Sequence, residues 1–418
     1  MNSHIHGLRR SGAGGTAGRS RRVVWMRGLA TTTLCGGVVL AGGCNGPPSS
    51  APTAGRTVAA TTLGGSSAQR VADDYYLIRP LAARDLGYRI DWQRRTLISA
   101  NSGLKTITVQ GESVFVLDGR NFLSRLRRED GEQLWRVPVA DALDEIHGIT
   151  FMPRMERVFI TSGGVVLVLD SDTGSQIAKQ RLSQIANTEP IVFGQFFLYG
   201  ARNGQLCWHS YLVGHQWRGY QVSQSIQLAP LLVDGAVIVV GSDGRIMVLD
   251  AGSAAQIWSK RLLDVVTAPP AAGSRQVYVA GQDQHLWAFD LDTGRNTWRY
   301  LTEDPLSEGP VLLGDHVYQQ IPSEGLVCFE AEPVNAPDGV VVWKAPKVRG
   351  SVVARIGGNL LVWDQEQRRL ELVTADQGAA ALSLDLPGIK FLLTNTRQST
   401  DLFAASDDGR VVRLVPRN

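Results

Sequence analysis

A segment of the form WAFDLDTGRNTW, Trp287 to Trp298, returns along this chain, and the recurrence leaves few folds open. The segment is an alternating strand that ends at Asp290, a turn through Thr293 and Gly294, and a Trp eight residues after the Asp. VLDAGSAAQIW repeats it with Asp250 and Trp258, and VLDSDTGSQIA with Asp170, Gly174 and Ala178 in the Trp place. Weaker copies put Ser210, Glu330 and Thr374 in the Asp place. There Trp217 falls one residue early, an insertion delays Trp343, and Leu382 replaces the Trp. FLSRLRREDGEQLW supplies Arg127, Gly131 and Trp135, and Val415 ends the series. The anchors 127, 170, 210, 250, 290, 330, 374 and 415 lie 40 to 44 residues apart. Eight such units, built of short alternating strands and Gly-rich turns, specify an all-β chain, an eight-bladed β-propeller of four-stranded blades.

The last unit runs out before its final strand. A spare strand stands at the other end, GYRIDWQRR, whose Trp92 precedes Trp135 by 43 residues. Residues 88–95 are therefore expected to pair with residues 411–416 and close the ring, which removes the open sheet edges of a linear array. Within each unit the Asp carboxylate can accept backbone N–H groups two or three residues on and hold the hairpin turn. Gly131, Gly174 and Gly294 supply the positive φ of that turn. The tryptophans Trp92, Trp135, Trp217, Trp258, Trp298 and Trp343 are expected to pack where blades meet, each indole offering one N–H donor.

The formal charge of +3 misleads. Residues 1–43 hold six Arg and no acid; without them 36 basic residues face 39 acidic ones, a net of −3, and nothing in that balance argues for nucleic acid. The basic stretch leads into GLATTTLCGGVVLAGGC, too short and glycine-rich to span a bilayer and patterned as a secretory signal. AGGC resembles a lipobox, with Cys44 as the lipid attachment point and Asn45 favouring the outer membrane by resemblance to known sorting rules. Residues 1–43 are thus assigned to a lipoprotein signal, 44–80 to a flexible Pro/Gly/Ser/Thr-rich tether, and 81–418 to the propeller. SRRVVWM resembles a twin-arginine export motif, yet a start at Met26 would give a compact signal by itself, so both the start and the export route stay open. Beyond Cys35 and Cys44 only Cys207 and Cys328 remain; a disulfide is conceivable in the periplasm, but separate buried thiols fit the repeat better, since it puts them on different blades.

AFDLDTGRNTW resembles the Ala-x-Asp-x-x-Thr-Gly-x-x-x-Trp repeat of the PQQ-type propellers, over about residues 85 to 418. That family includes quinoprotein dehydrogenases and cofactor-free scaffolds such as the propeller lipoprotein of the outer-membrane barrel-assembly machine. The dehydrogenases hold pyrroloquinoline quinone over a Trp floor and Ca²⁺ on Glu, Asn and Asp oxygens, and many carry adjacent cysteines. This chain has no adjacent cysteines, no Cys-x-x-Cys-His haem site and no room for the insertions that build such a centre. His147, His209, His215 and His316 form no ligand spacing and read as core or surface residues, and the acidic pairs at 73–74 and 407–408 read as solvated turns. Without the cysteine pair and the insertions, the resemblance narrows to the cofactor-free scaffolds, and no cofactor, no metal and no catalysis are expected. It implies a monomeric, lipid-tethered binding propeller in the cell envelope, facing the periplasm, whose protein partner would be the central barrel-assembly protein. An envelope propeller with a different partner or ligand is the alternative reading, and a quinone-dependent dehydrogenase the remote one.

Overall fold

The computed structural model describes residues 75–395 and 401–417. The expected signal, Cys44 and the tether as far as residue 74 lie outside the described residues. Eight four-stranded antiparallel sheets follow one another along the chain. Blade 1 covers residues 104–138, blade 2 146–181, blade 3 191–221, blade 4 231–261, blade 5 271–301, blade 6 311–345 and blade 7 351–385. Blade 8 takes three strands from residues 391–416 and its fourth from the N-terminal side, β1 (Tyr88–Arg95). First strands of neighbouring blades approach one another, so they face the axis of the ring: residues 104–110 meet 146–152 and 391–394, and residues 271–272 meet 231–233 and 311–313.

Side-chain pattern decides which strand goes where. Middle strands such as SVFVLD (Ser113–Asp118) and AVIVV (Ala236–Val240) are buried along their whole length, covered by blades on both faces. Fourth strands alternate, as in QIAKQR (Gln176–Arg181), because they form the outer rim. The core is therefore a series of seams rather than one centre. Ile238, Val240 and Trp258 of blade 4 pack with Val277, Val279 and Phe289 of blade 5, and Phe115 and Trp135 of blade 1 with Ile160 and Leu169 of blade 2.

Ring closure follows the expected pairing. β1 runs antiparallel to the last strand (Arg410–Pro416), from Tyr88 opposite Pro416 to Arg95 opposite Arg410. A largely buried ion network reinforces the join: Arg413 meets Asp91 at 3.0 Å and Asp401 at 2.6 Å, and Arg128 of blade 1 meets Asp401 at 2.9 Å.

The tether does not extend to residue 80 as expected. Leu77 and Ile78 are buried, and the Leu77 amide donates to Gln93 Oε1 at 2.8 Å. They lead into a short helix, α1 (Pro80–Asp85), with Pro80 at its first position, where a missing N–H costs nothing. Ile78, Ala83 and Leu86 join Leu361 and Leu370 of blade 7 and Leu402 and Leu414 of blade 8 in one cluster. Two consecutive apolar residues inside a polar stretch were the local sign that the packed chain begins earlier.

Candidate functional site

The repeat residues meet at the seams. Asp290 Oδ1 accepts from the Thr293 amide at 2.8 Å and from its hydroxyl at 2.5 Å. Asp250 accepts from the Ser253 amide at 2.7 Å and hydroxyl at 2.6 Å, and Asp170 from the Thr173 amide at 3.0 Å and hydroxyl at 2.9 Å. These bonds favour the charged form: the Thr293 hydroxyl and amide hold the Asp290 carboxyl below the usual carboxylate range. Gly131, Gly174 and Gly294 close the turns at φ 71°, 70° and 67°.

Each docking tryptophan reaches across to the next blade and donates to the carbonyl one residue past that blade's anchor. Trp92 Nε1 donates to Arg128 O at 2.9 Å, Trp135 to Ser171 O at 2.6 Å, Trp258 to Leu291 O at 2.7 Å, Trp298 to Ala331 O at 2.9 Å and Trp343 to Ala375 O at 2.9 Å. The indole lies flat on the turn glycine. A Cβ on Gly294 would stand 2.6 Å from Trp258 Cδ2, and one on Gly131 2.6 Å from Trp92 Cε3. Glycine is thus required twice, for its φ and for the ring pressed against it; the second reason involves a residue on another blade.

Trp217 departs from its expected docking role. It is 47% exposed and stacks on Phe196, ring centroids 5.1 Å apart. Arg218, not Trp217, stands opposite Trp208, at the register that Trp258 and Trp298 occupy in their blades. One residue of offset turns a strand side chain to the other face. Trp208, on the strand Gln205–Ser210, takes over the seam between blades 3 and 4, fully buried, with its Nε1 donating to Ala251 O at 2.8 Å.

Two seams lack a tryptophan. Between blades 2 and 3, where Ala178 holds the Trp register, Gln180 Nε2 donates to Tyr211 O at 2.8 Å, the same carbonyl position the indoles use. Gln180 Oε1 is then left to accept from His209 Nε2 at 3.0 Å, while His209 Nδ1 is buried without a partner. Phe159, Phe197 and Tyr211 fill the remaining space, with centroids 5.1 to 5.5 Å apart. Burial first, and His215 beside it, push the His209 imidazole down to about 4. At the seam of blades 7 and 8, where Leu382 holds the Trp register, the segment Leu77–Leu86 with α1 supplies the apolar cover.

Cys207 and Cys328 are free thiols buried in blades 3 and 6, and burial pushes them up to about 11 and about 12. Both are fully buried and held toward the protonated thiol, the form of a structural rather than a reactive cysteine. Among the described residues no three His, Cys, Asp or Glu side chains converge as a metal-binding group. No helix among the described residues is long and apolar enough to cross a membrane.

The surface offers a different kind of site. Trp217 is covered on one side by Phe196, with the Arg218 guanidinium 5.1 Å from its ring centroid. Leu212 and Val213, on the hairpin just before it, are 58% and 68% exposed. Arg218 Nη1 also donates to Ser253 O of blade 4 at 2.8 Å and Phe196 packs against the core between blades 3 and 4, while Trp217, Leu212 and Val213 project from that seam to the surface. The cluster presents Trp and Arg, the residue types that dominate protein–protein contact energies, beside aliphatic side chains.

Eight four-stranded blades, docked by a tryptophan at six of their seams, define a PQQ-type β-propeller. A family model described as "Outer membrane protein assembly factor BamB" matches residues 119–199 and 194–332. The chain belongs to this family of propellers. An assembly factor of that name from Burkholderia pseudomallei (strain K96243) is 21% identical over 327 residues, covering 73% of this chain and 83% of the relative. One from Yersinia pestis is 24% identical over 281 residues, covering 58% and 68%. Among solved structures, BamB from Moraxella catarrhalis superposes with a TM-score of 0.59 at 20% identity, covering 77% of this chain and 97% of that one. The computationally designed Ika8 protein superposes with a TM-score of 0.61 at 14% identity, covering 78% of this chain and 100% of that one.

Proposed function

We propose that this protein is a non-catalytic, lipid-anchored scaffold of outer-membrane β-barrel assembly. In this reading residues 1–43 are a signal removed on export, Cys44 carries the lipid, and the propeller faces the periplasm and meets the central barrel-assembly protein. The observation that carries the reading is the family match across blades 1 to 6, among relatives named as assembly factors. The chemistry of the surface supports it: the repeat side chains are committed to turns and seams, the thiols are buried, and the exposed cluster around Trp217 is of the kind that binds protein.

The test is a crosslinked capture of the intact lipoprotein from membranes, repeated with Trp217→Ala. Recovery of the central assembly protein by the parent, and its loss in the variant at unchanged stability, supports the reading. Recovery of other envelope proteins and no assembly component transfers the role to an envelope propeller with a different partner.

A further inference from the structure

The end of the described chain nearest the expected anchor carries an unusual charge. Although the chain without its first 43 residues has a net charge of −3, the surface around α1 and β1 is rich in arginine. Arg84, Arg89, Arg94 and Arg417 line one open groove with Tyr75 and Leu81, and Arg94 and Arg95 line an adjoining one that also includes Tyr75. All five arginines are exposed. Asp85, Asp91 and Asp408 pair with Arg84, Arg89 and Arg95 at 3.3 to 3.5 Å, in exposed or half-exposed contacts. Arg94 and Arg417 carry no carboxylate partner among the described residues. Tyr75 and Leu81, 60% and 65% exposed, place an amphipathic ring and an aliphatic chain among these charges.

We infer that this arginine-lined surface rests on anionic phospholipid headgroups of the membrane to which the chain is anchored. The inference rests on the lipid-anchor part of the proposed function. Thirty residues separate Cys44 from Tyr75. A tether of that length and of the expected composition would reach roughly 30 Å, and the α1–β1 surface, where the described chain begins, is the part of the ring nearest the expected anchor along the chain. Guanidinium groups pair with phosphate oxygens in a planar fork, and tyrosine and leucine suit the interfacial zone. Contact here would fix which side of the ring faces the membrane and leave the Trp217 cluster, on blade 3, for a protein partner.

The experiment uses the exported chain from residue 44 onward, produced with Cys44→Ala so that no acyl group contributes, and phosphatidylcholine vesicles with and without phosphatidylglycerol. Cosedimentation should require phosphatidylglycerol and disappear at high salt. Each arginine near an anionic surface contributes roughly fivefold, so Arg89→Ala/Arg94→Ala/Arg417→Ala should weaken binding by about 100-fold at an unchanged melting temperature. The control Arg181→Ala/Arg295→Ala, on blades 2 and 5, should bind like the parent. Equal binding to neutral vesicles, or an equal loss in the control, overturns the inference. Because the protein is acyl-free, either result is independent of whether Cys44 is lipidated, which fractionation of cells tests separately.

Discussion

If the tryptophans hold the ring by docking on the next blade, their substitutions should separate by what each indole reaches. Trp298 is 1% exposed, stacks on Phe329 at 5.8 Å and lies against Gly339. Removing a side chain of that size from a closed seam costs about 3–5 kcal/mol, a large part of a typical 5–15 kcal/mol stability. In a domain of this length Trp298→Ala should lower the melting temperature by roughly 4–7 °C. The hydrogen bond can be isolated with phenylalanine. Ala331 O also accepts from Tyr278 Oη at 3.0 Å, so Trp298→Phe leaves that carbonyl satisfied. Leu291 O receives only the Trp258 indole among the described residues, at 2.7 Å, so Trp258→Phe orphans a buried carbonyl and should cost about 1–3 kcal/mol more than Trp298→Phe. Trp217→Ala removes a ring that projects to the surface and should cost no more than about 1 kcal/mol, the worth of its aromatic contact. Urea and thermal unfolding, followed by circular dichroism, read all four variants. A Trp217→Ala loss as large as that of Trp298→Ala would refute the seam assignment, and equal costs for the two phenylalanine variants would refute the role of the indole N–H.

Deleting residues 81–96 removes Trp92, the fourth strand of blade 8 and all of α1 but Pro80, together with the Asp91–Arg413 pair; the truncated chain should fail to fold or melt far below the parent, and an unchanged melt contradicts the closure. Stability should also fall with acid through His209. Its imidazole has an ordinary value of 6.5 and a folded value of about 4, so below about 6.5 the unfolded chain takes up a proton that the folded chain refuses. Between about pH 6.5 and 4 this should remove on the order of 3 kcal/mol. His209→Gln should flatten that part of the pH profile, and an undiminished slope in that variant would assign the acid sensitivity elsewhere. Cys44→Ala should move the protein from the membrane to the soluble periplasmic fraction; retention through high-salt washing would place the anchor elsewhere.

Much of the fold is legible in the sequence because the repeat couples residues a fixed distance apart. Asp290, Gly294 and Trp298 occupy set places around one hairpin, and copies forty residues away reproduce them. Even the closure is readable, since a lone Trp-bearing strand at one end matches a missing one at the other. What the spacing misses is whatever depends on a neighbour without its own pattern. A one-residue offset at Trp217 looks small in the sequence but reverses the side chain, and the burial of Trp208 inside its own strand gives no sign that it serves the next blade. Gln180 is an ordinary rim residue until Tyr211 O is seen beside it, and the Trp contact at Gly294 comes from another blade. The exposed cluster is hidden for the same reason: by spacing alone Trp217 belongs to the frame.

The central claim, that this propeller serves outer-membrane barrel assembly, is tested most directly by depleting it and quantifying the outer-membrane β-barrel proteins by mass spectrometry. Their amounts should fall together without loss of viability, and recover with the parent chain but not with Trp217→Ala. Unchanged barrel levels after full depletion would contradict the claim.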